Sequence, residues 1–352
     1  MIVAGVASSA FGVTRCKIKQ NPANNHFFPE KTCCCSTKGL SLQRKYRLTF
    51  KIIVIMKLRN VMMVLCALLM CTGATAKPKK QMALQLYSIR EVIGSPQQYA
   101  QNHEQVFKQL NAWGYTAVEA ASYDQEHGTF YGVTPQQFRA DCEAAGLECL
   151  SSHATHGLSA EELKNHDFTE ALKWWDKAIA DHKAAGMKYI VTPGWGGPKT
   201  LEEAQTLCDY TNAIGRKCQA AGLRYGYHTH SHEFQKVEGK PWIEFMMEHT
   251  DPSVFFWQMD TYWCVMAQKS PVQYFKKYPG RFAMLHIKDL YELGESGMLG
   301  FEAIFRNAET AGLCDYVVEM EGTDGTIDIM EGVRRCAEYL NKTKVVKKSY
   351  RH

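Results

Sequence analysis

No apolar run in this 352-residue chain reads as a membrane span. The one pronounced run, Val61 to Cys71, falls short of the roughly 20 residues that a bilayer-spanning helix needs. It is followed by Lys77-Pro78-Lys79-Lys80. There is no disulfide framework either: beyond residue 76 the cysteines are Cys142, Cys149, Cys208, Cys218, Cys264, Cys314 and Cys336. An odd, scattered set of this kind reads as buried small hydrophobes. None of them forms a Cys-x-x-Cys pair, which removes thiolate zinc sites of the finger type. The first strand-like segment, Leu84-Gln85-Leu86-Tyr87-Ser88-Ile89-Arg90, is not followed by a glycine-rich phosphate loop, so a dinucleotide-binding open sheet is disfavoured.

What precedes residue 77 reads as leader. Lys57 and Arg59 give a positive segment after Met56, Val61–Cys71 the apolar segment, and Ala74-Thr75-Ala76 a small-residue cleavage site. The expectation is an exported, periplasmic protein with a signal peptide at 56–76. A lipoprotein is the weaker form, because neither Cys66 nor Cys71 has a small residue before it. The first 55 residues, basic and with a Cys33-Cys34-Cys35 run, read as a mis-called extension ahead of the true start at Met56. Residues 1–76 carry eleven Lys or Arg and one Glu. Without them, 41 bases and 36 acids become 30 and 35, and the formal charge moves from +5 to −5. No electrostatic case for nucleic acid remains.

From residue 77 to 352 one unit repeats. Apolar or β-branched runs start near Met82, Thr116, Leu147, Lys188, Leu223, Val254, Phe282 and Tyr316. Between them lie stretches with helical spacing, such as Val106, Leu110, Trp113; Leu172, Trp175, Ile179, His182; and Ile304, Ala308, Ala311. Glycine closes five of these helices, at Gly114, Gly146, Gly186, Gly222 and Gly312, where a left-handed cap turns the chain back. Eight strands alternating with eight helices predict an α/β fold, a single (β/α)8 barrel. Its active-site groups belong at the C-terminal ends of the strands.

Four late strands end in metal-ligand residue types: Tyr227-His228-Thr229-His230, Gln258-Met259-Asp260, His286-Ile287-Lys288-Asp289 and Val318-Glu319. Each has a bland reading. A histidine can be a structural hydrogen-bonder, Asp260 can cap the helix that follows it, and His286 can pair with Asp289. Taken together, two carboxylates and two imidazoles at one end of one barrel point to a divalent cation. A mixed nitrogen and oxygen set suits Mn2+, Co2+ or Zn2+ better than Ca2+.

With those segments in place, and with Leu86-Tyr87-Ser88-Ile89-Arg90 at the start, the chain from Met82 to Leu340 resembles the sugar isomerase/epimerase members of the xylose isomerase-like barrel superfamily. That superfamily also holds inosose dehydratases and apurinic endonucleases. The resemblance implies a metal set of His228, Asp260, His286 and Glu319, with His153 after strand three contacting substrate and His156 close enough to be confused with it. Two departures stand out. Epimerases of this kind carry Glu where this chain has His228, and use two facing carboxylates to work on both faces of the substrate. Many relatives have His where Trp263 stands, and its indole could stack on a sugar ring.

These features imply a metal-dependent enzyme of the isomerase/epimerase kind, acting on a small carbohydrate by proton transfer next to a carbonyl. His228 opens the alternative of a lyase or hydrolase of 3-keto-glycosides, or a dehydratase of a keto-polyol. His230 or His228 could take the proton, and Glu319 or Lys288 could serve the leaving group. Lys288 could instead bind substrate oxygen or pair with Asp289. Trp195 could line the pocket or merely pack its loop, and Glu119 could contact substrate or form a structural salt bridge. An apurinic endonuclease needs a trinuclear ligand set and a basic face, which the leader and the −5 charge oppose. A noncatalytic sugar-binding protein is opposed by intact ligand candidates.

The leader reading has a direct check. Edman sequencing of the protein from its native source should start near Lys77, outside the cytoplasm; recovery of residues 1–55 would overturn the mis-start.

Overall fold

Eight short runs rich in aliphatic and aromatic residues become eight strands, each starting no more than two residues from its sequence-read position. They are β1 Ala83–Gln85, β2 Ala117–Ala120, β3 Glu148–His153, β4 Tyr189–Thr192, β5 Arg224–His228, β6 Phe255–Asp260, β7 Met284–Lys288 and β8 Asp315–Glu319. In the computed structural model, which describes residues 53–58, 79–121 and 123–351, every neighbouring pair is parallel. The sheet closes in the order β1-β8-β7-β6-β5-β4-β3-β2. This is a (β/α)8 barrel, as expected.

The principal helix after each strand covers the barrel: α1 Pro96–Trp113, α2 Pro135–Ala144, α3 Thr169–Ala184, α4 Leu201–Ala220, α5 Trp242–His249, α6 Pro271–Lys277, α7 Phe301–Arg306 and α8 Ile329–Lys342. Local chemistry fixes their starts. Ser95 and Gln98 form a reciprocal capping box ahead of α1, with Pro96 at the first helical position. The five closing glycines all have positive φ. On α3, Trp175, Ile179 and His182 are buried together, the face that the helical spacing predicts.

The inner face of the barrel follows one rule on several strands: an apolar residue, then a polar one two positions later. Ala83 lies below Gln85, Ala117 below Glu119, Phe256 below Gln258, Met284 below His286 and Val317 below Glu319. The apolar members belong to a core cluster of their own, separate from the larger core. The barrel is therefore plugged at its floor and polar at its mouth.

Barrel residues fall in a unit running from Thr75 to His352, while residues 53–58, which are helical, fall in a separate unit. The extension and the signal segment lie almost wholly outside the described residues. Among the described residues no helix is long and apolar enough to cross a membrane.

Gly226, two residues before His228, has a specific steric reason. A Cβ built there would lie 2.5 Å from Cε2 and Cζ of the buried Phe256 ring. Gly226→Ala should therefore cost about 1–3 kcal/mol of stability through overpacking, read by denaturant unfolding. A loss below about 0.5 kcal/mol, the range of neutral surface changes, would mean that the ring moves aside freely.

Candidate metal centre and active site

β5 brings in His228, β6 Asp260, β7 His286 and β8 Glu319. One ligand-type atom from each lies within 4.8 Å of all the others, and all four residues are buried. Parallel register makes this possible, since Asp260 sits beside His286 across β6 and β7.

Asp260 tests the fit to a cation. Its Oδ1 accepts the Trp263 backbone N–H at 2.9 Å, so it does cap the short helix Thr261–Met266. Its Oδ2 is buried with no hydrogen-bond partner. Burial pushes the carboxyl up to about 7. A dry carboxylate oxygen without a donor is costly, and a divalent cation removes that cost. The residues fit such an ion.

The charges of the other three candidate ligands are set by their neighbours. Burial and the surrounding cationic groups push the His228 imidazole well below its ordinary value, so it stays neutral. His286 Nδ1 lies 2.9 Å from Glu319 Oε2, and its Nε2 lies 2.6 Å from Glu119 Oε1. Burial opposes its protonation, but the two carboxylates outweigh it and raise His286 to about 10. Burial opposes ionisation of Glu319 as well, and His286 and then Lys288 overcome it, holding Glu319 at about 2.

Several expected roles look different in three dimensions. Glu119 is not at the mouth. It is fully buried, and its oxygens face Gln85, His286, Ser151 and Gln258, which leaves no lone pair for substrate. It takes the salt-bridge role instead. Lys288 does not pair with Asp289. Its Nζ lies 3.0 Å from Glu321 and 3.6 Å from Glu319, over the Trp263 ring at 5.0 Å. Asp289 caps its own loop through the N–H groups of Leu290 and Gly294, and it does not bond His286.

His153 lies inside the cluster, its ring 5.5 Å from that of His286 and its Nε2 3.2 Å from Glu119. His156 lies apart, stacked on Trp174, which resolves the two. Trp195 packs on Tyr227 and Tyr210 and lines a cavity of about 370 Å³ with Leu158 and Leu207. Loop packing describes it better than contact with the cluster. Trp263 lies 5.9 Å from His230, ring to ring, and its indole N–H is buried without a partner. His230 also keeps an unpartnered buried Nδ1, and burial lowers its imidazole to about 4.

Sequence reasoning passed over Gln85, Ser151, Gln258, Glu233 and Glu321. Gln258 had a usable signal, because it precedes Asp260 by two and so shares its inward face. Glu233 holds the loop after β5, accepting the His230 backbone N–H at 2.8 Å and the Tyr227 hydroxyl at 3.0 Å.

A fold with polar strand ends gathered at a plugged barrel's mouth defines the class, and the sequence agrees. Residues 107–343 match the family model described as xylose isomerase-like TIM barrel. The chain belongs to that family. A sugar phosphate isomerase/epimerase from Parabacteroides distasonis ATCC 8503 is 32% identical, with a TM-score of 0.71 over 78% of this chain and 98% of that one. An inosose dehydratase from Geobacillus kaustophilus (strain HTA426) is 24% identical over 216 residues, 57% of this chain and 65% of its own length. That is just under two thirds of the relative. The IOLI protein, described with a binding zinc atom, shares the fold at 13% identity, with a TM-score of 0.55 over 76% of this chain and 99% of that one.

Purified protein should carry one divalent ion per chain by elemental analysis, and Asp260→Ala and His286→Ala should each release it. Full occupancy in both variants would make these residues structural.

Proposed function

We propose that this protein is a metal-dependent enzyme that moves a proton next to the carbonyl of a small carbohydrate. The observation that carries the reading is the convergence of His228, Asp260, His286 and Glu319 around an unpartnered Asp260 oxygen. When bound, Mn2+, Co2+ or Zn2+ supplies Lewis-acid polarisation of a substrate oxygen, which acidifies the adjacent C–H. The zinc of the IOLI structure and the sugar-directed names of the relatives support this assignment.

The remaining residues supply an asymmetric pair. His230 starts unprotonated, with a buried, unpartnered Nδ1 ready to accept a proton. An imidazole this far below neutrality is a weak base, so it needs an already acidified C–H. Lys288 starts protonated: burial works against its charge, and Glu319, Asp260 and Glu321 raise it above the ordinary value. It can hydrogen-bond a departing oxygen and pass it a proton. Trp263 packs its indole beside His230 and under Lys288, with its N–H buried and unpartnered.

A specific observation favours one-sided chemistry over epimerisation. Neither Asp260 nor Glu319 has a carboxylate facing it from β5, because His228 stands there, and Glu119 is sealed among protein donors. A base on one side and an acid elsewhere suit dehydration, β-elimination or hydrolysis of a substrate that already bears a ketone. The likeness to an inosose dehydratase agrees.

Metal-loaded protein should cleave or dehydrate members of a panel of 3-keto-glycosides and keto-polyols, and should exchange little solvent deuterium into plain ketoses. His230→Ala should cut turnover by roughly two to four orders of magnitude, the usual worth of a general base, with the metal retained. Efficient epimerisation of a ketose, with every keto-glycoside untouched, would sink the one-sided reading.

A further inference from the structure

Both histidine ligands of the proposed centre must aim a lone pair at the same point, and an imidazole can offer one from either nitrogen. The protein has to decide which. The hydrogen-bond inventory beneath the site makes that decision, and it starts from Glu119.

A carboxylate only accepts hydrogen bonds. Glu119 Oε2 accepts Ser151 Oγ–H at 2.7 Å and lies 2.9 Å from the Gln258 side-chain amide nitrogen. That contact orients Gln258, whose NH2 faces Glu119 and whose carbonyl oxygen faces the other way. The Gln258 oxygen lies 3.1 Å from His228 Nδ1, so Nδ1 must carry the proton. The lone pair of His228 is thereby left on Nε2. The His153 Nε2 lies 3.3 Å from the same oxygen.

His286 is set by the other oxygen of the same carboxylate. Glu119 Oε1 accepts from His286 Nε2 at 2.6 Å; Nδ1, whose proton goes to Glu319 Oε2 while no metal is bound, is the nitrogen that faces the cluster and would give up that proton to a cation. The amide of Gln85 completes the frame: its oxygen accepts the Tyr87 N–H at 3.0 Å, and its NH2 donates to Glu119 at 2.8 Å. Glu119, Gln85, Ser151, Gln258, His228 and His286 are all fully or almost fully buried, so water does not compete for the bonds among them.

We propose that Glu119, acting directly on His286 and through Gln258 on His228, is the positioning residue that sets the tautomers of both histidines for a divalent cation. This rests on the reading that those histidines are metal ligands. Glu119 and Gln258 would act from behind the ligands, since their polar atoms are taken up by one another, Ser151, Gln85 and the histidines.

Two measurements on the full chain test it. The first is ring 15N spectroscopy of the metal-free wild type, in which His228 should show a protonated Nδ1 and a pyridine-like Nε2. Gln258→Leu should mix the two forms. A pyridine-like Nδ1 in the wild type would overturn the proposal without any variant having to fold.

The second is Zn2+ affinity by chelator competition. Glu119→Gln and Gln258→Leu should each weaken binding about 10–100-fold, the usual effect of losing an outer partner of a ligand histidine. The exchange Glu119→Gln with Gln258→Glu keeps one buried carboxylate and returns an acceptor to each histidine. It should recover affinity over Glu119→Gln alone. Wild-type affinity in both single variants, with Asp260→Ala and His286→Ala binding none, would overturn the positioning role and leave the metal centre standing. Absence of Zn2+ binding by the wild type would instead sink the metal reading, and with it the role proposed for Glu119.

Discussion

A carboxylate with no exposed surface lies at the centre of this molecule, and the barrel mouth is arranged around it. An ion of this size loses several kcal/mol of hydration on burial even after relaxation. Glu119 is held ionised there: burial raises its pKa, while His153 and His286 more than reverse that and keep it well below the carboxylate range. The matching donors come from β1, β3, β6 and β7. A single residue of β2 thus ties together strands on both sides of the barrel. A partner lost from such a pair would leave the charge unmatched at a cost of about 3–5 kcal/mol.

That arrangement depends on the layered interior below it. Ala83, Ala117, Phe256, Met284 and Val317 fill the floor and lift the polar residues two positions on to the level at which they meet. Small and large residues share this layer unevenly. Phe256 occupies space that Gly226 leaves open on the neighbouring strand. The register shift between Val118 and Glu119 does the finer adjustment, because it sets Ser151 rather than Leu150 opposite Glu119. A bulge of this kind re-aims a side chain without a change of fold.

The repeating unit and the closing glycines were legible in the sequence because they are local: each strand and each cap is written within a few residues. The candidate ligand cluster was legible for a related reason. Charged residues ending apolar runs stand out, and Asp260, His286 and Glu319 each break a run of that kind. What escaped was the level in the barrel. Glu119 and Glu319 look alike in sequence, each an acid after two or more apolar residues, yet one is sealed and the other lies at the mouth. The difference lies in strand stagger and in what the other strands present, neither of which is local. Gln85, Ser151 and Gln258 escaped because a neutral polar residue in a strand carries no alarm until a buried charge is found beside it. The Lys288–Asp289 pairing, one of the alternatives the sequence offers, fails because alternation points successive strand residues to opposite faces.

The same carboxylate bears on the chemistry. His228 is neutral where the epimerases that this chain resembles carry a negative charge, so the ligands alone supply one charge fewer to a cation. Glu119 restores it one level down. Asp260, Glu319 and Glu119 put three carboxylates in or just beneath the cluster, and Lys288, which also faces Glu321, is the cation beside them. Glu119 does not replace a facing carboxylate in acid–base terms, because its oxygens face protein donors and are not open to trade a proton with substrate. On the proposed reading the barrel keeps the charge of a second carboxylate and gives up its reactivity, which leaves the proton chemistry to His230 and Lys288.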